Sequence, residues 1–408
     1  MSKEKKLALS EVEGLIPELR FPEFKNEGEW EENELNHFCF NISSGKDKIS
    51  EEGEFPLYGS TGIIGKTDNI SYSGDYILVA RVGANAGFLN RAKGKFGVTD
   101  NTLVLDLKNV DKIDFIHFSL DKIGLNKLVF GSGQPLITGG QLKSLQLVSP
   151  KSGKEQQKIA TCLSSLDEVI AAHSQKLEAL KDHKKGLMQN LFPQEGQKVP
   201  KYRFKEFEND GAWIQTTVED NCLVKGRIGY RGYTTEDLVG QGEGAIVLGG
   251  KHIQNQLIEL KDPTYLSWEK YYESPEIMVE VGDIIFSQRG TLGDCAIIDR
   301  EIGPATINPS MVLLKNITCV ARFLYYILIG DRIQVEVRKN MAMGAIPMLS
   351  QKQIKEFPFL IPMNPKEQQK IASCLSSLDA LITSQAEKIE QLKLHKKGLM
   401  QGLFPKNV

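Results

Sequence analysis

The 408-residue sequence predicts an α+β protein in which two α/β domains alternate with two long helices, the helices pairing as an antiparallel coiled coil about a pseudo-two-fold axis. Three observations lead there. A 40-residue helical segment occurs twice, a short motif recurs ahead of each half, and the sequence between them is strand-rich, punctuated by glycine and largely unrepeated.

The helical repeat comes first, because internal periodicity decides the architecture. Lys154–Pro193 and Lys366–Pro405 lie 212 residues apart and agree without gaps at 28 of 40 positions. In the first copy Ile159, Leu163, Leu166, Ile170, His173, Leu177, Leu180 and Lys184 follow one another in steps of four and three. In the second, Ile371, Leu375, Leu378, Ile382, Gln385, Ile389, Leu392 and Lys396 do the same. A 3.5-residue period sustained this long is a coiled-coil seam. Two near-identical seams in one chain are expected to pair with each other rather than each lying only on its own domain. The polar seam residues His173, Lys184, Gln385 and Lys396 cost stability and set register. Ser152 and Glu155 read as a capping box, Asn364-Pro365 as a capped start, and Pro193 and Pro405 as stops.

The shorter motif, Arg20 to Trp30, agrees with Arg203 to Trp213 at seven of eleven positions. Leu136–Pro150 parallels Met348–Pro362 in pattern. The expected boundaries are a first domain over 1–150, a first helix over 151–195, a second domain over 196–362 and a second helix over 363–408. Within the domains, strands are expected at Asp75–Ala80, Thr102–Leu107, Ala245–Leu248, Asp283–Ser287 and Ser310–Leu314. Helices are expected at Phe115–Lys127 and Ala321–Lys339.

Composition narrows the function classes. No apolar run reaches the ~18–20 residues of a membrane span, and no secretory leader is legible after Met1, so a cytoplasmic location is expected. The six cysteines form no C-x-x-C pair and the six histidines no H-x-x-x-H pair, so no metal site is expected. Gly131-Ser132-Gly133 lacks the spacing and lysine of a phosphate-binding loop. Asp262-Pro263-Thr264-Tyr265 is a faint echo of an adenine-methyltransferase loop without its second proline, and Asn308-Pro309-Ser310 a fainter one. Neither has a cofactor loop upstream, so no catalytic residue is assigned.

The candidates for ligand contact are glycine-rich loops bearing cations. Gly74–Gly87 parallels Gly282–Gly293, each a strand followed by an arginine (Arg81, Arg289) and a glycine turn. Such turns bring backbone close to a surface, and arginine suits phosphate or guanine. A structural turn with a solvated arginine is the alternative for either copy. Tyr58–Lys66 and Lys225–Tyr233 add further polar loops. The residues in these loops suited to phosphate or base contact are Lys66, Arg81 and Asn85 in the first half, and Arg227, Arg231, Arg289 and Thr291 in the second. The net charge of −2 does not conflict with DNA binding if cations gather on one face.

Two variable domains alternating with K-E-Q-Q-K-I-A … H-K-K-G-L-M-Q-x-L-F-P helices resemble the specificity subunits of type I restriction-modification systems, from Arg20 to Pro405. The resemblance implies that each domain is a target recognition domain reading one half of an asymmetric, bipartite double-stranded DNA target. It implies helices that set the spacer, and a scaffold for two modification (adenine methyltransferase) subunits and the restriction (translocase and nuclease) subunits. It also implies no catalysis and no bound cofactor on this chain, with S-adenosylmethionine, ATP and Mg on the partners. Two other classes remain in view. A fused methyltransferase-nuclease would need a cofactor loop and a nuclease motif. A coiled-coil interaction protein without DNA would leave two diverged domains on a preserved frame unexplained.

Overall fold

The computed structural model describes residues 15–130, 135–254, 256–341 and 348–406, without the side chains of Tyr230 and Met341. Residues 1–14 and Gly131-Ser132-Gly133 fall outside the described residues. The chain forms two compact units, Met1–Lys176 with Gln385–Val408, and Leu177–Ser384. Their limits fall inside both long helices, α1 (Gly153–Asn190) and α2 (Pro365–Leu403), rather than at the expected domain edges.

In the first unit a six-stranded sheet is built from β1 (Cys39–Ser44), β2 (Phe55–Gly59), β3 (Gly62–Thr67), β4 (Tyr72–Ala80), β5 (Leu89–Val98) and β6 (Thr102–Leu107). Its order is β1-β6-β4-β5-β2-β3, antiparallel except where β2 runs parallel to the end of β5 at Leu57–Gly97. The helix Ile113–Ile123 covers one face and ends at Gly124, whose φ of +70° only glycine adopts cheaply.

In the second unit β7 (Leu223–Gly226), β8 (Gly244–Leu248), β9 (Ile284–Ser287), β10 (Cys295–Ile297), β11 (Ala305–Ile307) and β12 (Met311–Lys315) form two sheets. One has the order β7-β12-β9-β10, and the other pairs β8 with Thr264–Ser267 on one side and, in parallel, with β11 on the other. These are the same connections, with β10 and β11 together replacing the continuous β5. The offset between the halves rises from 183 at Arg20/Arg203 to 208 at Asp75/Asp283, so most of the second domain's extra sequence lies before β9. The single helix expected over Ala321–Lys339 is two, Ala321–Ile329 and Asp331–Met341, divided at Gly330.

Each domain core includes the start of one long helix and the end of the other. In the first unit Ile159, Ala160 and Leu163 of α1 join Met400 and Leu403 of α2, with Phe404 just beyond it, around Trp30, Leu35 and Phe115. In the second, Ile371, Ala372 and Leu375 join Leu191, with Leu187 and Phe192 packed alongside, around Trp213 and Phe323. The helix starts thus do lie on their own domains, and there they meet the other helix as well.

Seam burial follows the 3.5-residue period. Ile159, Leu163, Ile371, Leu375, Leu378 and Ile389 are buried, and Leu166, Ile170, Leu177, Leu180, Ile382 and Leu392 are half-buried. The polar seam positions show the antiparallel sense within each unit. In the first, Lys396 Nζ lies 2.7 Å from Asp167, and Gln385 Nε2 lies 2.8 Å from both Nδ1 and O of His173. In the second, Lys184 Nζ lies 2.7 Å from Asp379, which also accepts from the Tyr326 hydroxyl at 2.6 Å. Lys184 and Lys396 are repeat mates, as are Asp167 and Asp379, so the same ion pair is made twice.

The recurrent leading motif has a structural cause. The Arg20 guanidinium donates to both carboxylate oxygens of Glu155 at 2.8 Å, and Arg203 to both of Glu367 at 2.8 and 2.7 Å. Arg20 also donates to Gly28 O and Arg203 to Gly211 O, closing each motif on itself. Phe21 and Phe204 lie under Lys158 and Lys370. Glu155, expected to close a capping box with Ser152, instead spends both oxygens on Arg20 while almost fully buried. Asn364 does cap α2, its Oδ1 accepting from Lys366 N at 3.1 Å.

Candidate nucleic-acid interface

Three loops meet at one end of each sheet, and hydrogen bonds put the two domains in exact register. The first loop follows β2 or β8. Thr99 N donates to Tyr58 O at 3.0 Å, as Asn308 N does to Leu248 O at 2.8 Å. The second follows β4 or β9 and carries the glycine turn. Gly87 N donates to Ala80 O at 2.8 Å and Gly293 N to Ser287 O at 3.0 Å. Gly83 and Gly87 have φ of +83° and +87°, and Gly290 and Gly293 of +82° and +85°, so these glycines are required by the turn itself. The third, Thr99–Asn101 or Asn308–Ser310, precedes the strand that closes the sheet centre.

This register corrects the sequence alignment of the two arginines. Arg81 N donates to Asn101 O and Arg81 O accepts from Ile137 N. In the second domain it is Gln288, not Arg289, that donates to Ser310 O and accepts from Leu349 N. Arg289 stands where the first domain has Val82, each bridging to the matched residue, Met348 or Leu136. The glycine turn is one residue shorter in the second domain, and aligning on arginine hid this. Aligning on Gly83/Gly290 pairs Arg81 with Gln288, and the backbone bonds pair Asn101 with Ser310; Gln288, Asp100 and Asn101 are not among the sequence candidates.

The seven candidates divide. Asn85 and Thr291 are exposed within the glycine turns, and Arg289 is exposed beside one. Arg81 is half-buried, its Nη1 donating to Asp100 O at 3.3 Å. Lys66 is exposed on β3 but lies four residues along the strand from the hairpin turn, outside the loop cluster. Arg231 is half-buried and its Nη1 lies 3.4 Å from Glu276. Arg227 is only 8% exposed and turns inward. It donates to Ile307 O, Thr306 Oγ1 and Arg231 O, and its guanidinium covers the Tyr233 ring at 5.1 Å. Burial lowers its pKa below that of ordinary arginine. A residue with its donors so used does not face a groove, which corrects its assignment as a contact. Arg227→Ala should therefore destabilise the second domain by about 2–4 kcal/mol, through unpaired buried acceptors and lost stacking. Urea unfolding checks this; an unchanged midpoint with weakened DNA retention would return Arg227 to the surface role.

The remaining chemistry-bearing motifs are structural. Asp262 sits at φ +48° with its carbonyl taking Lys251 Nζ, and Tyr265 lies in the strand Thr264–Ser267. Asn308 Oδ1 accepts from both the N and Oγ of Ser310, a local turn of the third loop. Burial pushes the Cys39 and Cys222 thiols up to about 12, the opposite of nucleophile activation. Among the described residues no cluster of His, Cys, Asp or Glu could hold a metal, and no helix is long and apolar enough to cross a membrane.

Each sheet domain thus presents differently furnished loops on one hydrogen-bond frame and is closed by parts of two long helices. The family model for the type I restriction modification DNA specificity domain matches residues 27–182 and 265–394, and the chain belongs to that family, as a non-catalytic specificity subunit. The chain is similar to the type I restriction enzyme MjaVIII specificity subunit of Methanocaldococcus jannaschii, 25% identical over 95% of this chain and 93% of that one. It is 33% identical to the EcoprrI specificity subunit of Escherichia coli over 30% of each chain. Its fold resembles the crystal structure of the S subunit of a type I system from M. genitalium, with a TM-score of 0.64 and 18% identity over 95% of this chain and 99% of that one. A structure described for complex assembly of the type I system gives 0.54 and 14%, over 93% and 98%.

Proposed function

We propose that each domain reads one half of an asymmetric, two-part DNA target through its loop cluster, and that the paired helices set the gap between the halves. One observation carries this reading: the same three loops are rebuilt in both domains on matched backbone bonds, with different side chains at the matched positions. Direct readout needs this arrangement, since phosphate contacts position a protein while a few side chains specify bases. Different side chains on one frame imply different half-sites.

The chain binds no cofactor in this reading. It serves as scaffold for two modification subunits carrying S-adenosylmethionine and for restriction subunits using ATP and Mg, in the cytoplasm. The fixed helix seam suits a constant assembly whose target changes only through the loops.

The experiment is to produce the chain with a type I modification subunit in a host free of adenine methylation and map the modified adenines. One asymmetric motif with two specified halves and a constant gap is expected. A seven-residue insertion in both helices should lengthen the gap and leave the halves unchanged. A continuous motif, or a gap indifferent to the insertion, would defeat the reading. DNA retention by the purified complex should also fall steeply with salt, as phosphate contacts require.

A further inference from the structure

In the matched register, Arg81 and Gln288 occupy the same position and do the same thing. Arg81 Nη1 donates to Asp100 O at 3.3 Å, and Gln288 Nε2 donates to Pro309 O at 3.0 Å. Asp100 and Pro309 are themselves matched, each being the middle residue of the third loop. Both side chains are half-buried and tie the glycine-turn loop to the third loop. The next residue in each domain points elsewhere. In the first it is Val82, which has no polar group. In the second it is Arg289, which is exposed. Its guanidinium has one polar neighbour among the described residues, the Met348 thioether, 2.8 Å from Nη2. Sulfur is a weak acceptor, so a forked set of donors remains available, unopposed by any carboxylate among the described residues.

Resting on the reading that these loops face DNA, we propose that Arg289 is the specificity-determining residue of the second domain, reading a guanine. Arg81 and Gln288 are positioning residues that hold the loops and read nothing. Arginine's planar fork matches the O6 and N7 acceptors that guanine presents in the major groove, and no other base edge offers that pair. The first domain has no counterpart of Arg289 at this position, so the guanine belongs to one half-site alone. In the same frame glutamine performs the brace that arginine performs in the first domain, so the two side chains are interchangeable there.

The test compares the modified motifs of four variants, each co-produced with the modification subunit and checked for a soluble complex. Arg289→Ala should turn one guanine of one half-site into any base, lowering discrimination there on the order of 10- to 100-fold, with the other half unchanged. Arg81→Ala should lower the modified fraction at every site without changing the motif. Arg81→Gln should restore the wild-type fraction and motif. Competition binding with single-base variants of the site covers the case in which Arg289→Ala modifies too little DNA to map. Equal weakening on all of them would make Arg289 a phosphate contact and overturn the proposal. So would loss of a specified base in Arg81→Gln. The fourth variant combines Asn85→Ala with Thr291→Ala. If it alters the motif while Arg289→Ala does not, only the present assignment fails. If none of the four alters either motif or affinity, the reading of the loop cluster fails with it.

Discussion

Glu367→Ala should unfold the second unit at markedly lower denaturant, by about 3–5 kcal/mol, while leaving the first unit near its wild-type stability. The side chains of Arg203 and Glu367 are 7% and 1% exposed, so the substitution strands a buried guanidinium rather than trimming a surface pair. It also removes the acceptor of Trp213 Nε1, 3.3 Å from Glu367 Oε1. In the first unit no hydrogen bond satisfies the buried Trp30 Nε1 among the described residues, so Glu155→Ala should cost less than Glu367→Ala. Hydrogen exchange separates the units. Deprotection confined to residues 177–384 is expected for Glu367→Ala, and equal deprotection of both units would contradict the assignment. Replacing Arg203 and Glu367 together by apolar residues should recover much of the loss, because no buried charge is then left alone.

Phe404→Ala should destabilise the first unit by about 3–5 kcal/mol, although Phe404 lies 374 residues from its neighbour Trp30 in sequence. Its ring is 1% exposed, 6.0 Å from Trp30 and 5.7 Å from Phe115. Truncating a ring this buried leaves a cavity, whose cost adds to the lost transfer energy. The repeat mate Phe192 is half-buried, 6.1 Å from Trp213 and 5.6 Å from Phe323, and Phe192→Ala should cost roughly half as much. Thermal denaturation of both variants checks the order; a larger loss for Phe192→Ala would reverse it.

Both predictions turn on the same feature of the chain. The leading motif and the helix repeat are each visible in the sequence as recurrences, and neither recurrence says that they touch. Arg20 and Glu155 are 135 residues apart, and Arg203 and Glu367 are 164 apart. Nothing in their local pattern distinguishes a buried pair from a cap and a surface cation. Glu155 was expected at a helix cap for that reason. The candidate contacts divide along the same line. Glycine turns with positive φ were legible at Gly83, Gly87, Gly290 and Gly293, because only glycine makes such turns without strain. Whether a nearby arginine faces out or in was not, and Arg227 and Arg289 came out opposite.

From its residues alone this protein determines two long helices, their seam and its polar interruptions, because a 3.5-residue period is a local property of the chain. It also determines that an unlike, strand-rich domain precedes each helix. Tertiary structure alone decides which helix ends complete which core, that Lys184 and Lys396 find Asp379 and Asp167, and that Gln288 rather than Arg289 matches Arg81. These are long-range pairings. They depend on strand register and on which distant surface is left to bury an apolar or charged group, and neither is written in the spacing of neighbouring residues.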